Sequence, residues 1–233
     1  DWQVYARIIE GIRLATDALV YPSYPMTPGI DIAGETAPRF AHVEALAERG
    51  LLDLAVIDPG SVNLSMRTTT ASAKPAVTYV NPEAHIRHAL AFAASHGFHP
   101  AFAIYEPGFT RTGAALAKAI PGVKRPVYRF MFSEHFAWGF PPAPYALEAH
   151  VKLLEQCDRG APWMIAGLGV DIRPLIGPAV KGRGHVRVGL EDAPLGSTTT
   201  NVAWVEEAVR LVRAAGGEPA TVADMRAALK AVP

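Results

Sequence analysis

The stretch His185-Val186-Arg187-Val188-Gly189-Leu190-Glu191-Asp192 is a short apolar run that ends in two neighbouring carboxylates. Similar runs occur earlier in the chain, and each is followed by polar or glycine residues and then by a stretch with helical periodicity. Strands that alternate with helices in this way are typical of a parallel sheet. In a (β/α)8 barrel the chemistry lies at the carboxyl ends of the strands, where Glu191 and Asp192 are expected.

The whole chain divides into units of this kind. Strands are predicted at residues 18–21, 52–57, 101–105, 127–132, 163–166 and 186–190. Helices are predicted at residues 4–16, 38–49, 82–95, 112–119, 144–156, 172–176, 202–214 and 221–231. We therefore expect a TIM (β/α)8 barrel whose first two strands are absent from this chain, because a closed barrel has about eight strands. The alternative is an open six-stranded, doubly wound sheet.

The first residues already have helical periodicity, which is an unusual start for a barrel. We expect a β-α-β segment of about 40 to 55 residues upstream of Asp1, from the usual size of a barrel unit. Residues 1–233 are then a single α/β-barrel domain that lacks this N-terminal segment. No repeat or flexible linker divides the chain.

Composition narrows the class of function. Of the 233 residues, 50% are hydrophobic and 19% are charged, enough for one large core. Lys plus Arg and Asp plus Glu each number 22, so the zero net charge gives no reason to expect nucleic acid or an anionic membrane as partner. The single cysteine, Cys157, excludes an internal disulfide, which suits the cytoplasm. No run approaches the roughly 18 apolar residues of a membrane span.

The residues that follow the predicted strands form a polar ring, which we expect at one rim of the barrel. Its members are Ser23 with Tyr24, Asp58 with Ser61 and Asn63, Glu106, Ser133 with Glu134 and His135, Gly167 with Gly169, and Glu191 with Asp192. If the last strand remains pleated, Glu191 and Asp192 point in opposite directions, so one faces the mouth and the other pairs with Arg187. The alternative is that both simply begin a solvated loop.

Other candidate sites are weaker. Gly167 and Gly169 follow a strand, and their backbone N–H groups suit an anion, although two glycines also suit any tight turn. His85 and His88 have the spacing of metal ligands but lie in an outer helix, away from the mouth. His135 lies among aromatic residues at a strand end, as a packed or substrate-contacting histidine.

The residues of the last third resemble those of the β-keto acid cleavage enzymes, the family of 3-keto-5-aminohexanoate cleavage enzyme. The resemblance rests on the opening stretch, on 163–169, and on Asn201 with the helix that follows it. Residues 60–63, Gly-Ser-Val-Asn, are similar to a strand-end segment of the same family. The resemblance implies a zinc-dependent TIM barrel that condenses a β-keto acid with acetyl-CoA to give acetoacetate and a new acyl-CoA.

The same resemblance implies roles for individual residues. Glu191 corresponds to the carboxylate ligand of Zn2+ or another divalent metal, while Arg187 and Asp192 correspond to a catalytic pair that assists proton transfer. It also implies substrate-binding roles for Ser23 and Ser61, with Asn63 supporting that loop. Glu106, Gly167 and Gly169 are expected to bind substrate because they follow predicted strands. The resemblance also implies a homo-oligomer, in the family a tetramer.

The chain departs from the family pattern in three places. The family's His-x-His pair of metal ligands is absent from these 233 residues: either it lies in the upstream segment, as we expect, or the protein has lost its metal. Ala103 stands where family members tend to carry an acidic residue. The loop at 133–144 is rich in aromatic residues and proline, where the family loop is rich in glycine. The identity of the β-keto acid is therefore open.

Two other functions remain open on sequence alone. One is a metal-independent barrel aldolase or isomerase that uses Glu106 or Asp192 as the base. The other is a ligand-binding barrel without catalysis.

Overall fold

Five parallel strands form the main sheet, in the order β1-β4-β5-β6-β7. The structure is a computed structural model, and it describes residues 1–23, 37–68 and 76–230. A separate antiparallel pair is formed by β2 and β3. The strands are β1 Leu54–Val56, β2 Val62–Asn63, β3 Thr78–Tyr79, β4 His99–Ile104, β5 Val127–Phe132, β6 Trp163–Gly167 and β7 His185–Val186.

Helices alternate with the strands of the main sheet from β4 to β7. They are α1 Trp2–Ala15, α2 Ala37–Ala47, α3 Glu83–His96, α4 Pro107–Ala119, α5 Pro144–Cys157, α6 Arg173–Lys181, α7 Asn201–Ala214 and α8 Val222–Lys230. Proline in the first turn starts α4, α5 and α6, where its missing N–H costs nothing. The strands of the main sheet neighbour one another in chain order without a reversal, which is the arrangement of the TIM-barrel class of α/β fold and not of a doubly wound sheet, as predicted. Within the described ranges, the helices are too short or too polar to cross a membrane.

The strand β5 shows how the pleat divides its side chains. Tyr128 and Phe130 point outward to the helical layer: the Tyr128 hydroxyl donates to Asp158 at 3.0 Å, and the Phe130 ring stacks on His150 with centroids 4.7 Å apart. The intervening Arg129 is buried and points into the barrel. Because successive side chains of a strand alternate in direction, an arginine is placed inside an otherwise apolar strand.

The bottom of the barrel is closed by apolar residues from outside the sheet. Leu19 and Tyr21, together with Leu229 of α8, pack against Leu54 and Val127 at the amino ends of their strands. The strand predicted at residues 18–21 is therefore wrong: this segment has no strand pairing in the described part of the chain. Its partly buried apolar side chains pack against the ends of the strands instead of extending the sheet.

The last strand is also shorter than predicted. β7 ends at Val186, whereas the prediction extended to residue 190. After Gly189 the backbone makes a helical turn, in which the N–H groups of Asp192 and Ala193 donate to the Gly189 carbonyl at 3.1 and 2.9 Å. The β2–β3 pair was not predicted, because its strands have only two residues each.

The close approach of two chain segments makes Gly184 intolerant of a side chain. A Cβ at Gly184 would lie 2.1 Å from the Trp163 ring, whereas at Gly11, inside α1, nothing lies within 4 Å. We expect Gly184→Ala to lower the free energy of unfolding by about 1–3 kcal/mol. Gly11→Ala should raise it by about 0.5–1 kcal/mol, because alanine favours a helix. Urea unfolding of both variants checks this, and equal effects would contradict the proposed clash.

Candidate active site

The carboxyl ends of the five parallel strands meet at one rim, and a cavity of about 540 Å³ opens there. It is lined by apolar side chains and by a small set of polar ones. The charged lining residues are Asp58, Arg129, Arg187 and Glu191, and the tyrosines are Tyr21, Tyr79 and Tyr105. A concave site of this size with a few convergent polar groups is the usual form of a small-molecule site.

Arg187, Glu191 and Asp192 form one charged cluster at the rim. Arg187 Nε donates to Asp192 Oδ2 at 3.1 Å, and Arg187 Nη2 donates to Glu191 Oε2. The predicted contact between Arg187 and Asp192 is therefore confirmed. The pleat does not persist to Glu191 and Asp192, because the turn after Gly189 brings both carboxylates to the same guanidinium. Glu191 nevertheless lines the cavity while the buried Asp192 pairs with Arg187, as expected.

The two carboxylates differ sharply in exposure. The side chain of Glu191 is 73% exposed and lines the cavity, whereas that of Asp192 is 5% exposed and lies behind Arg187. Burial raises the pKa of Asp192 to about 6, against the opposing effect of Arg187. Its Oδ1 has no hydrogen-bond partner among the described residues, although Arg187 Nη2 is 3.1 Å away. Asp192 is therefore a buried acid–base group whose pKa is about 6, and Arg187 connects it to the cavity.

A second polar cluster lies deeper in the cavity. Asp58 accepts hydrogen bonds from the Tyr79 hydroxyl at 2.7 Å and from the Ala103 N–H at 2.9 Å. Arg129 Nη2 lies 3.8 Å from Asp58 Oδ1. Burial raises the pKa of Asp58, while Arg129 and the two hydrogen bonds oppose the rise. Of this cluster, the sequence analysis predicted only the position of Asp58.

The structure separates the predicted serine and asparagine sites. Ser23 is exposed and lines the cavity. Ser61 Oγ instead accepts the Asn81 N–H at 2.7 Å, and Asn63 Oδ1 accepts the Thr78 hydroxyl at 2.8 Å. Ser61 and Asn63 therefore hold the β2–β3 region together, and neither is among the residues that line this cavity. Tyr24 lies outside the described residues.

Glu106, Gly167 and Gly169 also make local contacts. Glu106 Oε1 accepts the Gly139 N–H at 3.1 Å. A Cβ at Gly167 would lie 2.9 Å from the Asp192 carbonyl oxygen, and Gly169 has a φ of +68°. The two glycines thus let the chain pass close to the segment that carries Asp192. None of the three is among the cavity-lining residues, and their substrate-binding roles stay predictions.

The histidines do not converge on the cavity. His85 is buried in α3, and His88 of the same helix pairs with Glu44 at 3.1 Å. Among the described residues there is no group of three His, Cys, Asp or Glu side chains that could hold a metal ion. Among the described residues that line the cavity, Glu191 has an exposed carboxylate that suits a metal ion.

Comparison with known proteins finds a matching family model and similar solved structures. A family model described as beta-keto acid cleavage enzyme matches residues 1–230. No curated protein matches the chain. The apo structure of ObcA aligns with a TM-score of 0.56 and 14% identity, over 76% of this chain and 44% of that one. The binary complex of ObcA with oxaloacetate gives 0.51 and 13%, over 76% and 45%.

The chain thus spans less than half the length of these ObcA structures. At such low identity the likeness shows the fold alone.

Proposed function

The chain belongs to the beta-keto acid cleavage enzyme family, and from this membership we propose that it transfers the acyl group of a β-keto acid to coenzyme A. Acetyl-CoA is the second substrate, and acetoacetate and a new acyl-CoA are the products. The observation that carries the proposal is the buried Asp192 held by Arg187 at the rim of a cavity. The ObcA complex with oxaloacetate, itself a β-keto acid, agrees with this substrate class.

The proposed reaction balances without an oxidant or reductant. The bond between C2 and C3 of the β-keto acid breaks, and C2 becomes bonded to the carbonyl carbon of the acetyl group. The thioester bond of acetyl-CoA breaks, and a new thioester forms at C3. A proton leaves C2 before the attack and returns to carbon in the product.

Two residues of the chain have the right properties for these steps. Asp192, whose pKa is raised to about 6 and whose Oδ1 has no hydrogen-bond partner in the described part of the chain, is proposed to accept the C2 proton. Arg187 contacts both Asp192 and the cavity. We propose that its guanidinium stabilises the oxyanion that develops when the thioester is attacked.

The family is generally metal-dependent, and Glu191 is the candidate ligand in this chain. Its exposed carboxylate at the rim suits Zn2+ or another divalent cation, which would polarise a keto group as a Lewis acid. A catalytic zinc site needs about three protein ligands, and the described residues supply no such group. Glu191 is therefore proposed as one ligand only.

A product assay tests the proposal directly. The intact protein is incubated with a series of β-keto acids and acetyl-CoA, and acetoacetate and new acyl-CoA are measured by mass spectrometry. With C2-labelled β-keto acid, the label should appear in acetoacetate. Release of carbon dioxide or free acid without any new acyl-CoA would contradict the proposed transfer.

The pH dependence of this activity follows from Asp192. A proton acceptor works in its ionised form, and burial raises the pKa of Asp192 to about 6. We therefore expect kcat/KM to fall as the pH is lowered through about 6, because the carboxyl becomes protonated. Measurement of kcat/KM from pH 5 to pH 8, at about constant ionic strength, checks this. If kcat/KM instead falls only near pH 4, the region of an ordinary aspartate, the proposed role of Asp192 as proton acceptor would be contradicted.

A further inference from the structure

Arg129 is a buried cation with few partners. Its side chain is 6% exposed and points from β5 into the cavity. The closest charge is Asp58, whose Oδ1 is 3.8 Å from Arg129 Nη2, too far for a hydrogen bond. Arg129 Nε is buried without a hydrogen-bond partner in the described part of the chain. A buried charge is costly unless it is both paired and hydrogen-bonded.

Asp58 does not satisfy this guanidinium. Its oxygens accept other hydrogen bonds, Oδ1 from the Ala103 N–H and Oδ2 from the Tyr79 hydroxyl, and Arg129 Nη2 lies beyond hydrogen-bond distance of Oδ1. By contrast, the other cationic group of the cavity, Arg187, contacts the carboxylates of Glu191 and Asp192. Of the two arginines, Arg129 is therefore the one with donors to spare.

The surroundings of Arg129 leave room for a ligand. Its neighbour on β4 is Ala103, whose methyl group occupies little of the barrel interior. Tyr21 and Tyr105 also line the cavity, and the Tyr21 ring centroid is 6.0 Å from Arg129 Cζ. An anion in the cavity would meet a guanidinium whose planar fork of donors matches a carboxylate.

We propose that Arg129 binds a second carboxylate of the substrate, so that the preferred β-keto acid is a dicarboxylic acid. The distal carboxylate lies against Arg129, while the β-keto acid end lies toward Arg187 and Glu191 at the rim. This inference rests on the proposed function, since it names the substrate class of the same site. Arg129 acts on recognition, and no bond at the distal carboxylate changes.

A matched pair of substrates tests the proposal with the intact, metal-loaded protein. 3-Oxoadipate and 3-oxohexanoate differ only in a terminal carboxylate or methyl group. We expect the unmodified protein to prefer 3-oxoadipate, and Arg129→Met to lower kcat/KM for it by about 100-fold, mainly through KM. The same variant should change kcat/KM for 3-oxohexanoate by less than about threefold.

Two further variants separate recognition from structure. Arg129→Lys keeps the charge but loses the fork of donors, so it should recover part of the preference for the diacid. Arg111→Met, on the exposed surface of α4, should leave both substrates unaffected. If Arg129→Met does not fold, the double variant Arg129→Met with Asp58→Asn is tested in its place, because it removes both charges of the buried pair. Equal losses for the two substrates would overturn the proposal.

A binding experiment keeps this inference distinct from the proposed function. If the protein turns over neither substrate, the proposed function fails, and binding of adipate and hexanoate is measured by calorimetry. Tighter binding of adipate that disappears in Arg129→Met supports the anion subsite without the reaction. Equal affinity for adipate and hexanoate, or a preference that survives the substitution, overturns it.

Discussion

Replacing Asp192 with asparagine should lower kcat by about 10²–10⁴-fold, the usual contribution of a general base. Asparagine has nearly the same shape and can still accept the hydrogen bond from Arg187, but it cannot take up a proton. Because burial raises the pKa of Asp192, its ionised form is disfavoured by folding, and the substitution removes that penalty. We therefore expect turnover to fall far more than the free energy of unfolding.

The sign of the stability effect is specific. A carboxyl whose folded pKa is raised destabilises the folded state as the pH rises above its unfolded pKa of 3.8. Asp192→Asn should therefore be no less stable than the unmodified protein above pH 6, and the acid limb of its residual activity should vanish. Asp171→Asn is the matched control, since Asp171 also pairs with an arginine, Arg173, but that arginine does not line the cavity as Arg187 does.

The measurements are kcat, its pH dependence and urea unfolding, each for Asp192→Asn and for Asp171→Asn. Parallel losses of stability and turnover in Asp192→Asn would mean that the pair with Arg187 is structural. A variant that keeps its acid limb would assign that limb to another group.

The sequence was most reliable where local composition and environment agree. Residues 127–132 were predicted as a strand, and the structure has β5 at Val127–Phe132. The run is rich in β-branched and aromatic residues, and each of its residues is buried, so local preference and tertiary packing favour the same state. The helix predicted at 144–156 agrees with α5 to within one residue for the same reason.

The error at residues 18–21 has the opposite cause. A short apolar run predicts burial, but it does not say whether the backbone pairs with a strand or the side chains fill a barrel. Leu19 and Tyr21 pack on the amino ends of β1 and β5, two strands that lie much later in the chain. That choice depends on how much space the barrel interior offers, and a short-range sequence pattern carries no information about that space.

The candidate site was predicted in part. Arg187 and Asp192 are five residues apart, so their contact follows from a local turn, and the sequence predicted it. Arg129 was missed because Asp58, the nearest charge to it, follows β1 and is far from Arg129 along the chain. The available signal was an arginine at an inward position of an apolar strand, and a buried arginine requires an anionic partner. Such a residue identifies a site only when the strand's inward face is known.

Removing the divalent cation from the intact protein should abolish cleavage, and adding it back should restore cleavage. We further expect Glu191→Gln to lower the metal content per chain and to lower activity in parallel. The Glu191 side chain is 73% exposed, so its replacement should change the free energy of unfolding by no more than about 0.5 kcal/mol. Loss of activity in this variant would then report ligand chemistry and not unfolding.

The control and the contrary outcome are both measurable. Glu206→Gln, at an exposed position of α7 that does not line the cavity, should retain metal and activity. Because Arg187 also contacts Glu191, loss of that carboxylate changes the charge at the rim as well as removing a metal ligand. Metal analysis separates these two effects. If the metal leaves while activity remains, or if exhaustively chelated protein with no measurable metal is fully active, Glu191 is not the ligand of a catalytic cation. If Glu191→Gln retains the metal but loses activity, the Glu191 carboxylate acts through Arg187, and Arg187, Asp192 and Glu191 work together at this rim.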